Sequence, residues 1–113
     1  MGWTPEAVFD LDSDVIEFPK ELIREYEFTL KGISIPVRIR LYKVFGHEGV
    51  LFAQSHHIKT PTQIGKYVTS RPWNDDLGSA LWQAVTGITR YYKEAVAAGH
   101  SPSDDWLVPN ECF

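Results

Sequence analysis

The chain has 113 residues and a formal net charge of −4, from 11 Lys plus Arg and 15 Asp plus Glu. Hydrophobic residues make up 43% of it and charged residues 23%, which excludes wholesale disorder and a polybasic nucleic-acid-binding tail. A chain of this length closes one hydrophobic core, so we expect a single domain over residues 1–113.

The cysteine content and the lengths of the apolar runs indicate where in the cell the protein resides. Cys112 has no second cysteine with which to form an internal disulfide. No apolar run approaches the ~20 residues that span a bilayer. Residues 1–6 lack the basic and apolar regions of a signal peptide. We therefore expect a cytoplasmic protein that does not enter the membrane.

For the N-terminal stretch, residues 1–21, the sequence does not decide between helix and strand. Four of its acidic residues match ligand positions of a calcium loop: Asp10, Asp12, Asp14 and Glu21. Val15 stands where that loop needs a glycine for its turn, so the match fails at the position that shapes the loop. We expect neither a metal site nor a cofactor.

Two alternating segments predict the first two strands. Residues 22–31 place apolar side chains at even positions, and residues 33–45 place them at odd positions. A two-residue turn at residues 31–32 would pair Phe28 with Ile35 and bring both apolar sets to one face. On the opposite face this register places a glutamate of the first strand beside an arginine of the second.

A second turn, residues 46–49, leads to a third predicted strand, residues 50–58, in an antiparallel meander. The end of this strand carries His56 and His57. Adjacent strand residues point to opposite faces, so these two histidines do not readily share a metal ion. The length of the turn leaves open which of them faces the core.

The other clear element is a long helix over residues 75–98. Asn74 is a suitable N-cap, and Gly99 and Pro102 mark the end. Apolar residues at steps of three and four form one stripe: Leu77, Leu81, Ala84, Val85, Ile88, Tyr92 and Ala95. Residues 100–113 are expected to pack back onto the body of the domain. The predicted fold class is α+β, with a three- to four-stranded antiparallel β-meander packed in two layers against this C-terminal helix.

Four side chains are candidates for a partner-binding surface. Arg38, Arg40 and Tyr42 belong to the second strand, and Trp82 lies at the margin of the helical stripe. The net negative charge and the glutamates of the neighbouring strand argue against nucleic acid as the partner. Coverage of these aromatic residues by the terminal segments is the alternative.

A competing interpretation places a small-ligand or enzyme site in the cleft between helix and sheet, with His56, His57 and Tyr92 as its residues. The sequence contains neither a serine nucleophile elbow nor a glycine-rich phosphate loop, and Cys112 has no evident histidine partner. We therefore assign no catalytic residue. The sequence favours a protein that is not an enzyme but does not decide the question.

The order of the elements carries one family resemblance. A β-meander is followed by a helix with an acidic start, from Asn74 to Gly99, and then by Ser101-Pro102-Ser103. This layout is similar to the small antitoxin domains of the HicB type. The resemblance implies an oligomeric domain that sequesters a small ribonuclease toxin. The chain has no helix-turn-helix segment, so DNA binding is not implied.

These observations favour a non-catalytic binding or regulatory domain that acts through protein–protein association. The expected partner is a second copy of the chain, in a homo-oligomer, or another protein. The alternatives are a HicB-like antitoxin and a ligand binder or enzyme with its site between helix and sheet.

Overall fold

The computed structural model describes residues 2–113. In chain order the elements are helix α1 (Pro5–Asp10), strands β1 (Lys20–Phe28), β2 (Val37–Val44), β3 (Val50–Gln54), β4 (His56–Ile58) and β5 (Trp73–Asn74), helix α2 (Leu77–Ala97), a 3₁₀ turn (Asp104–Trp106) and strand β6 (Leu107–Pro109). Four strands form one antiparallel sheet in the order β1-β2-β3-β5, and β4 pairs with β6 in a small second sheet. Helix α2 packs on one face of the larger sheet, which confirms the α+β two-layer fold.

Strands β1 and β2 pair in a register that differs from the predicted one. Phe28 pairs with Val37, two residues beyond its predicted partner, and Glu25 pairs with Arg40. The turn predicted at residues 31–32 is present, since the N–H of Ile33 donates to the carbonyl oxygen of Leu30 at 3.0 Å. It does not join the two strands directly, because residues 29–36 form a longer connection outside the ladder. A shift of two residues leaves the side chains from Arg24 to Phe28 on their predicted faces, since side chains alternate along a strand, whereas a bulge between Leu22 and Arg24 moves Leu22 to the face of Tyr42.

The predicted third strand, residues 50–58, is wrong as a single element. Ser55 separates β3 from β4: its N–H donates to the carbonyl oxygen of Arg38 at 2.9 Å, and its Oγ accepts the Arg38 N–H at 2.8 Å. Because the serine hydroxyl replaces a ladder acceptor at this point, the chain can leave β2 and pair with β6. His57 therefore lies opposite Val108, in the second sheet.

Helix α2 begins at Leu77, two residues after the predicted start. Asp76, not Asn74, is the N-cap, and its carboxylate accepts the N–H of Ser79 at 2.7 Å. The hydrogen bond from the Ser79 backbone lowers the pKa of Asp76. The buried residues of the helix are mostly small: Ala80, Ala84, Gly87, Ile88 and Ala95. These small residues let the helix axis approach the sheet closely.

The core fills the space between α2 and the sheet. Its fully buried branched side chains come from both layers and from β4: Val37, Ile39, Leu41, Ile58 and Ile88. The C-terminal tail lies against this core, since Trp106 and Leu107 are buried within it. None of the helices that the structure describes is long and apolar enough to cross a bilayer.

The N-terminal segment, residues 2–19, lies at one end of the sheet. The ring of Phe9 is 5.3 Å from that of Phe45, and the Phe45 N–H donates to the carbonyl oxygen of Pro19 at 2.9 Å. Helix α1 itself has no buried residue. The molecule is elongated, with extents of 61 × 24 × 22 Å.

Candidate functional site

Three of the residues predicted for a partner surface lie together on the sheet face that points away from α2. Arg38, Arg40 and Tyr42 alternate with the buried residues of β2. The guanidinium carbons of Arg38 and Arg40 lie 5.1 Å and 3.9 Å from the ring centre of Phe113. Arg40 Nε also donates to Glu25 Oε1 at 2.6 Å. Both arginines therefore have partners within the chain.

Trp82, the fourth predicted residue, belongs to a different surface. It projects from α2, on the other side of the sheet from the arginines, and is 67% exposed. Beside it is a shallow depression of about 270 Å³ lined by Tyr67, Thr86 and Arg90 among others. The four residues thus do not form one interface.

Tyr92 does not join the two histidines. Its hydroxyl donates to the carbonyl oxygen of Lys31 at 2.6 Å, and its ring meets the ring of Trp106 edge-on at 5.8 Å. These contacts hold the connection between β1 and β2 against the helix and the tail. The predicted group of His56, His57 and Tyr92 is therefore not assembled.

The two histidines lie in different environments. His56 Nδ1 is 2.8 Å from Ser55 Oγ. Since that oxygen already accepts an N–H from the backbone of Arg38, its hydroxyl proton is free to be donated to His56 Nδ1. Burial lowers the pKa of His56, and the positive charge of Arg38 lowers it further. The lowered pKa favours the unprotonated ring, whose Nδ1 can accept the hydroxyl proton of Ser55.

His57 lines a cleft of about 400 Å³, hereafter the His57 cleft, between the end of β3, the loop 66–72 and the tail 110–112. Its polar lining comes from Gln54, His57, Lys66, Thr69, Asn110 and Cys112. Burial lowers the pKa of His57, with smaller contributions from Lys66 and His56. The cleft therefore combines a lysine side chain with an imidazole whose protonation is disfavoured.

The walls of the His57 cleft are fixed by hydrogen bonds. The side-chain amide of Asn110 donates to the carbonyl oxygen of Gln54, and its backbone N–H donates to that of Ser55, both at 2.8 Å. Gln54 Nε2 donates to the carbonyl oxygen of Ala84 at 2.7 Å. The N–H of Cys112 donates to Asn110 Oδ1 at 3.0 Å. The tail is thereby tied to β3 and, through Gln54, to α2.

Two buried polar atoms at the cleft lack a hydrogen-bond partner: His57 Nδ1 and Thr69 Oγ1. They are the only such side-chain atoms within residues 2–113. Leaving a buried polar group unpaired costs about 1–3 kcal/mol, so native proteins hold few of them. That the two residues carrying these atoms both line one cleft marks this cleft as a candidate site.

Among the acidic, histidine and cysteine side chains of residues 2–113, no three come close enough together to hold a metal ion. The acidic residues with calcium-loop spacing, Asp10, Asp12, Asp14 and Glu21, do not converge on such a group.

Sequence analysis named His57 but missed Lys66, Thr69 and Asn110. The loop and the tail that carry them have no sustained periodicity, so the pattern gave no reason to bring them together. The tail reaches the cleft through the hydrogen bonds of Asn110, a residue type whose local patterns indicate turns and helix caps but not contacts with distant strands.

We expect the free energy of unfolding to fall as the pH is lowered from about 7.5 to about 5.5. The pKa values of His56 and His57 are lower in the folded chain than their ordinary value of 6.5. Below that value the unfolded chain binds protons that the folded chain does not, so stability is lost with falling pH.

Urea denaturation at a series of pH values measures this effect. Replacing both histidines (His56→Gln with His57→Gln) is expected to flatten the pH dependence, whereas His100→Gln, at an exposed histidine, is expected to leave it unchanged. A pH dependence that survives in the double variant would contradict the assignment to His56 and His57.

No protein-family model, no curated protein and no solved structure matches this chain. Its function is therefore inferred from its own surfaces, and the HicB-type resemblance stays a prediction.

Proposed function

We propose that this chain is a non-catalytic protein-binding domain whose contact surface is the N-terminal segment together with the exposed side of β1. The supporting observation is the distribution of exposed apolar side chains. Within residues 2–113 twelve large apolar side chains are exposed, and half of them lie in the N-terminal segment: Trp3, Val8, Leu11, Val15, Ile16 and Phe18. Exposed apolar residues concentrated in this way are typical of interaction sites.

Strand β1, which follows the N-terminal segment in the chain, also carries exposed apolar side chains, one on each face of the sheet. Leu22 and Tyr26 on β1 are 50% and 40% exposed, and β1 is an edge strand. The strand carries a bulge between Leu22 and Arg24 and a row of charged residues, two features that discourage open-ended pairing of edges. We therefore assign the contact to side chains of this surface and not to strand addition.

Charge indicates the kind of partner. Residues 1–28 hold eight acidic and two basic residues, a net charge of −6, whereas residues 29–113 hold seven acidic and nine basic residues, a net charge of +2. Two copies joined through this surface would bring like charges together, at a cost in binding free energy. The surface suits a basic protein better than a second copy of itself. The proposal places this association in the cytoplasm.

We expect a photo-reactive phenylalanine analogue at Val15 to form a covalent product with a basic protein in cells that naturally produce the chain. Val15 is 74% exposed in the N-terminal segment. The matched control carries the same analogue at Val96, which is exposed on α2 outside the proposed surface and is expected to give no such product. Mass spectrometry of the products identifies the partner.

The absence of a product at Val15, or equal products at Val15 and Val96, would refute the proposed surface. A covalent dimer at Val15 would show that the partner is a second copy and would contradict the charge argument. A small ribonuclease as the partner would support the HicB-type interpretation.

A further inference from the structure

We propose that the His57 cleft binds a small organic monoanion, a molecule with one carboxylate and an apolar body. This binding site is separate from the protein-binding surface of the N-terminal segment. The cleft is lined from the end of β3, the 66–72 loop and the tail, and none of its lining residues belongs to residues 2–19.

The charge of the lining selects an anion. Lys66 is the only charged side chain around the cleft, and no acidic residue opposes it. The positive charge of Lys66 also contributes to the lowered pKa of His57, and both side chains belong to the lining of the cleft. The one lysine of the lining balances one negative charge, which favours a carboxylate over a doubly charged phosphate.

The unpartnered polar groups supply hydrogen bonds for that carboxylate. A neutral imidazole and a hydroxyl can each donate to an oxygen, and His57 Nδ1 and Thr69 Oγ1 are both without a partner in the fold. Both atoms are covered, so the ligand would draw these two side chains towards the cleft. Binding would thereby satisfy two groups whose burial otherwise destabilises the fold.

The remaining lining suits an apolar body. Phe52, Val68 and Pro72 line the cleft beside the polar groups. Its volume of about 400 Å³ falls in the range of small-molecule sites, about 300–1,000 Å³, which combine apolar walls with a few polar groups. The tail that closes one side is held by Asn110, so the walls exist before the ligand arrives.

The test is a titration of the full chain with benzoate and with hexanoate, followed by amide chemical shifts in ¹⁵N NMR spectra. We expect saturable shifts around His57, Lys66 and Thr69. Benzamide, which has the shape of benzoate without its charge, is expected to cause no saturable shift. Lys66→Met is expected to weaken benzoate binding by about tenfold or more, since it removes the charged partner.

Two further variants separate a built site from general attraction to a basic surface. Lys59→Met removes an exposed lysine that does not line the cleft and is expected to leave binding unchanged. Thr69→Val keeps the shape of the side chain, removes the hydroxyl and is expected to weaken binding. The proposal is overturned if neither carboxylate causes saturable shifts at the cleft, if benzamide binds as well as benzoate, or if Lys59→Met weakens binding as much as Lys66→Met.

Discussion

Replacing Ile39 by alanine is expected to lower the free energy of unfolding by about 2–5 kcal/mol. Ile39 lies in the middle of β2, is completely buried and belongs to the core under α2. Both neighbouring strands are hydrogen-bonded to β2 at this position, where Ile39 pairs with Tyr26 and Gln54. The sheet therefore cannot close the cavity that the lost methyl groups leave. Urea denaturation measures the loss.

Ile64→Ala is the matched control, because it makes the same substitution at a fully exposed isoleucine in the loop after β4. Its expected effect is within about 0.5 kcal/mol. Similar losses in the two variants would show that the Ile39 position is not part of the core that stabilises this fold.

The sequence predicts the faces of the hairpin but not its register. Alternation assigns each side chain to a face, and a shift of two residues preserves that assignment. The register depends on the path of residues 29–36, and that path is set from elsewhere in the chain. Ile33 is buried in the core, and the N–H of Ser34 donates to Asp104 at 2.7 Å. No local pattern contains a contact between residues seventy positions apart.

The break at Ser55 was not predictable for a similar reason. The alternation of residues 50–58 suits one continuous strand, and the sequence does not reveal that the Ser55 hydroxyl accepts a backbone N–H of β2. Competition of serine side chains with backbone ladders is common, but its location depends on the neighbouring strand. The break also decides the environments of His56 and His57, because it moves both residues into the second sheet.

The composition of the His57 cleft could not be predicted from the sequence either. His57 is a candidate from the sequence because histidine side chains often bind ligands or transfer protons. Lys66 and Thr69, which line the same cleft, come from a loop without periodicity, so no sequence pattern connects them with His57. The tail reaches the cleft because Asn110 donates to Gln54 across the end of β3. Sites assembled from such distant segments require the three-dimensional structure.

Gly49→Ala is expected to destabilise the fold much more than Gly46→Ala, although the two glycines have almost the same backbone conformation. Their φ angles are +84° and +85°, so alanine adopts an unfavourable left-handed conformation at both positions, at about 1–2 kcal/mol. At Gly46 an added Cβ has no neighbour within 4 Å. At Gly49 it would lie 2.6 Å from the carbonyl oxygen of Asn74, which is a backbone atom and cannot rotate away.

The difference in the free energy of unfolding between the two variants measures the clash of the Gly49 Cβ with the backbone of Asn74, because the left-handed conformation is common to both. Relief of the clash must move β5 away from β3, which breaks the pairing of Val50 with Asn74 just before α2 begins. Overpacking of this kind adds about 1–3 kcal/mol to the loss. Urea denaturation measures both variants, and amide hydrogen exchange at Phe52, whose N–H donates to the carbonyl oxygen of Pro72 at 2.8 Å, reports the pairing directly. Equal losses for Gly46→Ala and Gly49→Ala would mean that β5 can slide away freely, so the two-residue strand would add nothing to the stability of the sheet.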